Sequence, residues 1–402
     1  MQTSFVVKAA IIAGLFFTAS CTEQPAKPKA ADTNTDLEHF AFTVEEAPDW
    51  DALFKRNAGW FGGDGIFAIP MNGIDSASAD GETLILFSDT MIGEIEEDKL
   101  KPGYTMIHNS VARLSGSLPD SSRIRFDWDQ KAGGQPESVF IPGTAATQPG
   151  DYYWLGDGFV NTAHNGDIYL FGYRIRDIKG VTAMGFEHVG STLIVIPKGS
   201  QPPFRDQRQI DFPFFADDKS KNGIVAFGSG ILVNTAEAKM PHADGYVYIY
   251  GTRGRNKELL VARVLPAQFE QFGDWRFWDG RGWVTGMDSA AAVTSQVSNE
   301  LSVSPLPDGR YALFFQLDGL TTTVGMRLGS SPVGPFGPLI KIFDNKAALE
   351  GKNFFSYNAK AHPALSRPGE LLVSYNINSF DFFNDIKLYP HLYRPRFVRV
   401  KY

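Results

Sequence analysis

Four acidic residues occupy comparable places along the chain: Asp64 in GGDG, Asp89 in FSDT, Asp157 in GDG and Glu300 in SNELSV. Each borders a short apolar run with the composition of a β-strand. Glutamate is depleted in strands, so Glu300, at a strand entrance between Asn299 and Leu301, is not there for propensity. Taken singly, an aspartate beside glycine equally well caps a turn. Converging on one pocket, such groups can do acid–base chemistry. Hydrolysis of a glycosidic bond needs two carboxyl groups: one protonates the leaving oxygen, the other attacks the anomeric carbon or activates water. Crowding carboxylates raises the pKa of at least one and keeps a proton available near neutral pH.

Other residues at the same strand ends suit a sugar. Asn109, Arg174, Arg253, Gln316, Lys360, His362 and Asn376 offer hydrogen-bonding groups for hydroxyls, and Trp60, Phe61, Trp154 and Tyr357 offer rings for the apolar faces. His362 reads equally well as a satisfied core histidine, and Tyr173 with the Phe-rich second strands reads as packing.

The elements that must position these residues recur. Runs beginning at Gly62, Gly156, Gly228, Ser298 and Lys360 share one order: a small or polar entrance, a short apolar strand, a turn with Asp-Gly, Gly-Asp or Pro-Gly, then a strong apolar strand. Further strand-like sequence follows, such as STLIVIPK and LLVARVLP. Five such units, roughly 60 to 90 residues apart, predict an all-β, five-bladed β-propeller of four-stranded blades with long decorating loops. A β-sandwich with coincidental hairpins is the alternative. In a propeller the first strand of each blade lines the central channel, so the entrances and the ends of the second strands meet on one face. Glu300 then belongs to a polar ring.

Composition fits. The chain has 402 residues, 43% apolar and 13% aromatic, with 40 glycines for tight turns. A net charge of −7 with no dense Lys/Arg stripe argues against nucleic acid. Lys8 followed by AAIIAGLFF and TASC predicts a signal peptide over 1–20. The only cysteine, Cys21, stands where a bacterial lipoprotein is lipidated, although Thr18 replaces the usual leucine. A flexible tether is expected over 21–38 and a single propeller domain over 39–402. The expected location is outside the cytoplasm on a lipid anchor, at the outer membrane since Thr22 is not the aspartate of inner-membrane retention. No CxxC or HExxH motif occurs, and no metal or cofactor is expected. A monomer is expected, with a carbohydrate as its partner.

NELSVSPLPDGRYALFFQ followed by GSSPVGPFGP resembles the acid-bearing blade of arabinanase-like and invertase-like five-bladed propeller glycosidases. GGDGIFAIP, LILFSDTMIG, HNSVAR, GDGFV, AKAHPALS and LYRPRFV together resemble the bacterial domain of unknown function 4185 family, over roughly Trp60 to Val400. That family includes endo-acting D-arabinanases. The resemblance implies a nucleophile or general base at Asp64, a second aspartate beside it at Asp89, a general acid at Glu300 and an accessory aspartate at Asp157. Ser88 stands where glycine is usual, and the turn after Met71 is longer than usual. The leading expectation is therefore an exported glycoside hydrolase. A glycan-binding lipoprotein without catalysis is the alternative, and an interaction scaffold is a third.

Overall fold

The computed structural model describes residues 1, 35–180, 185–218 and 223–402. The expected signal peptide, Cys21 and most of the tether lie outside these residues.

Five antiparallel sheets form the blades of a propeller. Blade one is Phe67–Pro70, Glu82–Phe87, Ser110–Ser115 and Ile124–Asp127; blade two is Tyr152–Asn161, Asp167–Asp177, Phe186–Ile196 and Arg208–Phe212. Blade three is widened to six strands, with Gly223–Asn234 as its long inner strand. Blade four is Leu301–Pro305, Tyr311–Gln316, Thr323–Gly329 and Ile340–Asp344. Blade five combines Phe354–Ala361, Glu370–Ser379 and Arg396–Lys401 with Thr43–Glu46, whose register runs from Thr43 opposite Lys401 to Glu46 opposite Val398. A strand from the start of the domain thus completes the last blade and closes the ring, covering the edge of Arg396–Lys401. All five repeats legible in the sequence are blades.

Alternating apolar residues pack between neighbouring sheets. Phe159, Tyr169 and Phe171 of blade two meet Phe227, Val247 and Ile249 of blade three, and Phe314 and Met326 of blade four join Val373 and Val398 of blade five. The short helix Pro48–Phe54 buries Trp50, Leu53 and Phe54; Phe54 stacks on Phe397 of blade five at 5.3 Å and meets Trp60 at 6.0 Å.

One element is not apparent in the sequence. Ala58–Gly63 pairs with Thr90–Glu96, which also pairs with Thr105–Ile107 and Lys99–Leu100, making a small sheet attached to blade one. Its last rung, Gly63 opposite Thr90, lies next to Asp64 and Asp89, which link it to the blade. The acidic run Glu94–Asp98 forms the outer end of this sheet, and its four acidic residues are exposed.

The inner strands are irregular where they reach the candidate site. Register shifts fall between Leu155 and Gly158, between Phe227 and Gly230, and between Tyr357 and Lys360. Bulges of this kind re-aim side chains. In blade five the bulge carries Asn358 at φ 61° and leaves Tyr357 and Lys360 reaching different acidic groups.

Candidate active site

Asp64 and Asp89 are joined through the backbone. The Asp64 N–H donates to the Asp89 carbonyl at 3.2 Å, and the Ser88 N–H donates to the Asp64 carbonyl at 2.8 Å. Gly65 allows the turn: its φ is +65°, and a Cβ there would sit 2.7 Å from Ser88 Oγ and 3.3 Å from Glu300 Oε1. That close approach brings Glu300 of blade four against the Asp64 turn of blade one.

Each carboxylate has a distinct set of partners. The Tyr357 hydroxyl donates to Asp64 Oδ2 at 2.6 Å, and the Tyr393 hydroxyl lies close to this carboxyl. Asp64 Oδ1 is shut off from solvent without a hydrogen-bond partner. Burial, reinforced by the neighbouring Asp89 and Glu300, pushes the Asp64 carboxyl up to about 8 despite the two phenols. Glu300 Oε2 lies 2.6 Å from the Lys360 ammonium, and Asn358 donates to Oε1 at 2.7 Å. Burial raises Glu300 as well, with Lys360 opposing it. His108 Nδ1 lies 3.0 Å from Asp89 Oδ1, and the His108 ring stacks on Tyr152 at 3.7 Å and 15°.

Asp157 stands apart from this cluster. Its Oδ1 accepts the Gly158 N–H at 2.8 Å and its Oδ2 accepts the Ile231 N–H of blade three at 2.7 Å. The carboxylate clamps the bulges of two blades, which corrects its expected catalytic role. Burial raises it to about 7. With Lys360 and His362 it lines a cavity of about 90 Å3 further along the channel.

The other expected site residues divide. Tyr357 and Lys360 are in the cluster, acting on carboxylates. Asn376 stands beside it, donating to the Gly63 carbonyl at 3.4 Å. Trp154 is half-buried with Phe186 edge-on at 4.5 Å. Seven expectations are corrected. Trp60 and Phe61 are 1% and 0% exposed, with Trp60 packed on Phe87 and Phe126, so neither ring can stack on a sugar. Asn109 is buried and donates to the Phe140 and Tyr153 carbonyls, tying loops together. Arg174 is buried against Asp211 and Asp151, and Arg253 pairs with Glu258 and the Ala290 carbonyl. Gln316 is buried, donating to the Thr321 and Thr323 carbonyls. His362 is a core histidine bonded to Ser374 Oγ at 2.7 Å, with burial lowering it to about 3; this is the bland alternative weighed for it.

Sequence reasoning missed His108, Asn358 and Tyr393 as partners of the carboxylates. His108 opens the motif HNSVAR, where Asn109 drew the attention, and Tyr393 lies in LYRPRFV. Asn358 had a signal in principle: asparagine is the non-glycine residue that best tolerates positive φ. No cluster of three or more His, Cys, Asp or Glu side chains able to hold a metal occurs among the described residues.

Fold and site together define a five-bladed β-propeller with three carboxyl groups gathered at one end of its channel. The family model for a domain of unknown function, DUF5005, matches residues 47–402, and the chain belongs to that family. This is a different family from the one its motifs resemble. No curated protein matches the chain. A crystal structure from Bacteroides ovatus, provisionally described as a hydrolase, is 21% identical with a TM-score of 0.67, covering 94% of this chain and 97% of that one. An α-L-arabinofuranosidase from Podospora anserina is similar at 12% identity and a TM-score of 0.43, covering 86% of this chain and 98% of that one. An exo-β-1,3-galactanase from Phanerochaete chrysosporium is similar at 11% and 0.44, covering 85% and 62%.

Proposed function

We propose that the protein is a glycoside hydrolase whose acid–base groups are Asp64, Asp89 and Glu300. The observation that carries this reading is the gathering of three carboxyl groups from separate turns, only one of them neutralised by an ammonium. A purely structural site would not leave Asp64 buried beside two other carboxyls with one oxygen unpartnered. Asp64 has the environment least tolerant of charge, so it holds the resident proton and serves as the acid. Glu300, in contact with Lys360 and Asn358, is the better candidate for the base or nucleophile. This assignment reverses the roles implied by the sequence resemblance. Asp89, oriented by His108, completes the negative rim that stabilises positive charge developing on the sugar.

An arabinofuranose-containing glycan is the substrate we infer, from the resemblance of this chain's motifs to those of D-arabinanase-like propellers. Export and lipidation at Cys21 follow from the apolar run ending in TASC. The test is incubation of the soluble domain with arabinans, arabinogalactans, fructans and xylans, beside Asp64→Asn and Glu300→Gln. Release of oligosaccharides by the parent alone is expected, each variant losing about 10²–10⁴-fold. Cleavage unaffected by both changes overturns the assignment, and retention of a glycan without cleavage by the parent favours a binding protein. An aryl glycoside with a good leaving group separates the roles: it should restore Asp64→Asn more than Glu300→Gln.

A further inference from the structure

Beyond the carboxylates lies a cleft of about 520 Å3 that the hydrolytic chemistry does not use. His108 and Tyr152 line it, so its wall begins at the imidazole that touches Asp89. The two rings stack almost in parallel, and both are fixed from behind. The His108 backbone N–H donates to Ser138 Oγ at 2.9 Å, and the Tyr152 hydroxyl donates to Asp177 at 3.0 Å. A platform held in this way loses little freedom when a ligand settles on it.

The lining also includes Lys131 and Gln135–Glu137, from the hairpin that pairs Asp129–Gln130 with Pro136–Glu137 and turns through Gly133 and Gly134 at positive φ. It offers the exposed Gln135 and a loose ion pair, Lys131 Nζ to Glu137 Oε1 at 3.9 Å. Asp151, deeper in the lining, is covered by Arg176 at 2.7 Å and is neutralised. The cleft therefore has charges of both signs in compensated pairs and no unopposed cationic group to draw a phosphate or sulfate. The outer face of this stacked pair, with an amide and paired charges in the same lining, matches a ligand with apolar ring faces and a hydroxyl edge. The volume lies within the range of pockets that take ligands larger than a single monosaccharide.

We propose that this cleft is a subsite for neutral sugar residues flanking the bond that is cut. His108 and Tyr152 form its stacking platform, and Gln135 with the Lys131–Glu137 pair hold hydroxyls. The inference rests on the glycosidase reading for its position beside Asp89, though it can be tested without cleavage.

The test uses a Lys131→Ala/Gln135→Ala double variant, whose substitutions are exposed and touch no carboxylate of the cluster. Its melting temperature is checked against the parent. Affinity electrophoresis through gels containing branched arabinan, arabinogalactan, xylan or fructan is run in the Asp64→Asn background. Hydrolysis of the retained polymer and of p-nitrophenyl arabinofuranoside is measured in the active background. The expected result is retention weakened about five- to tenfold and polymer KM raised to match, with kcat/KM on the aryl glycoside unchanged within about twofold. Unchanged retention and KM in a folded double variant overturn the subsite while leaving the hydrolase reading intact. Weakened retention when the parent cuts none of the four polymers overturns the hydrolase and the place of the cleft beside a scissile bond, leaving a glycan-binding site. A parent protein that neither retains nor cuts any of the four polymers overturns both.

Discussion

Asp64 is where chemistry and stability pull in opposite directions. Its carboxyl titrates near 8 in the folded protein against an ordinary value of 3.8, so the folded state binds the proton more tightly than the unfolded state does. Its contribution to stability is full below the ordinary value and is lost as pH rises through about 8. Asp64→Asn removes that loss. Thermal melts should therefore converge near pH 4 and favour the variant by about 2–4 °C at pH 8, while activity on the polymer falls by about 10²–10⁴-fold. A variant less stable than the parent at pH 8 contradicts the strained-carboxyl account. Lys360 makes the reciprocal case. Lys360→Met leaves Glu300 buried without its counter-charge, and a loss of about 3 kcal/mol is expected in denaturant titration. A loss well under 1 kcal/mol would mean the pair is dispensable. At this scale the sequence was informative about residue types and weak about partners. Asp64, Asp89 and Glu300 were visible because each stands at a strand end with its local motif. Trp60, Phe61, Asn109, Arg174, Arg253 and Gln316 stand at similar ends, but burial and local pairing turn them inward, and position along a strand does not encode that.

Among the elements, the bulges decide what reaches the site. Regular pairing would alternate side chains strictly, whereas the irregularity after Tyr357 lets Tyr357, Asn358 and Lys360 all serve acidic groups within four consecutive positions. Two substitutions at Asn358 separate its backbone role from its amide. Asn358→Gly keeps the positive φ and loses the bond to Glu300; Asn358→Ala loses both. Both should be impaired in catalysis, with Ala about 1 kcal/mol less stable than Gly. Equal stability of the two would remove the backbone role. Hairpins and their order were legible because turn residues and apolar runs repeat. The bulges were not, since one extra residue in a strand leaves no compositional trace. The small sheet built on Ala58–Gly63 was missed for a related reason: its partner strand Thr90–Glu96 runs into a segment rich in glutamate, which carries little strand signal.

The whole molecule depends on a closure between chain ends. Thr43–Glu46 is the outermost strand of blade five, tied further by Lys401 to Glu45 at 2.6 Å. A domain beginning at Pro48 would expose Arg396–Lys401 as a bare edge, and a melting temperature lower by about 5 °C or more is expected. An unchanged melt would show that the helix Pro48–Phe54 alone seals the ring. The blade count and all-β class were legible in the sequence, but this fastening was not, because four residues of mixed polarity carry no strand signal without their partner.

That closure also sets an order of events in time. Glu300 emerges during synthesis before Asn358 and Lys360, and the strand that completes their blade is waiting from the outset for Arg396–Lys401. Contacts between the ends of a chain are the slowest to form, since the intervening loop must first be ordered. A chain cut short of Lys360 therefore carries an unneutralised Glu300, and one cut short of Arg396 an open ring. A chain that lacks Arg396–Lys401 has every acidic group but no closed ring, so a refolding assay should recover activity in step with the last kinetic phase.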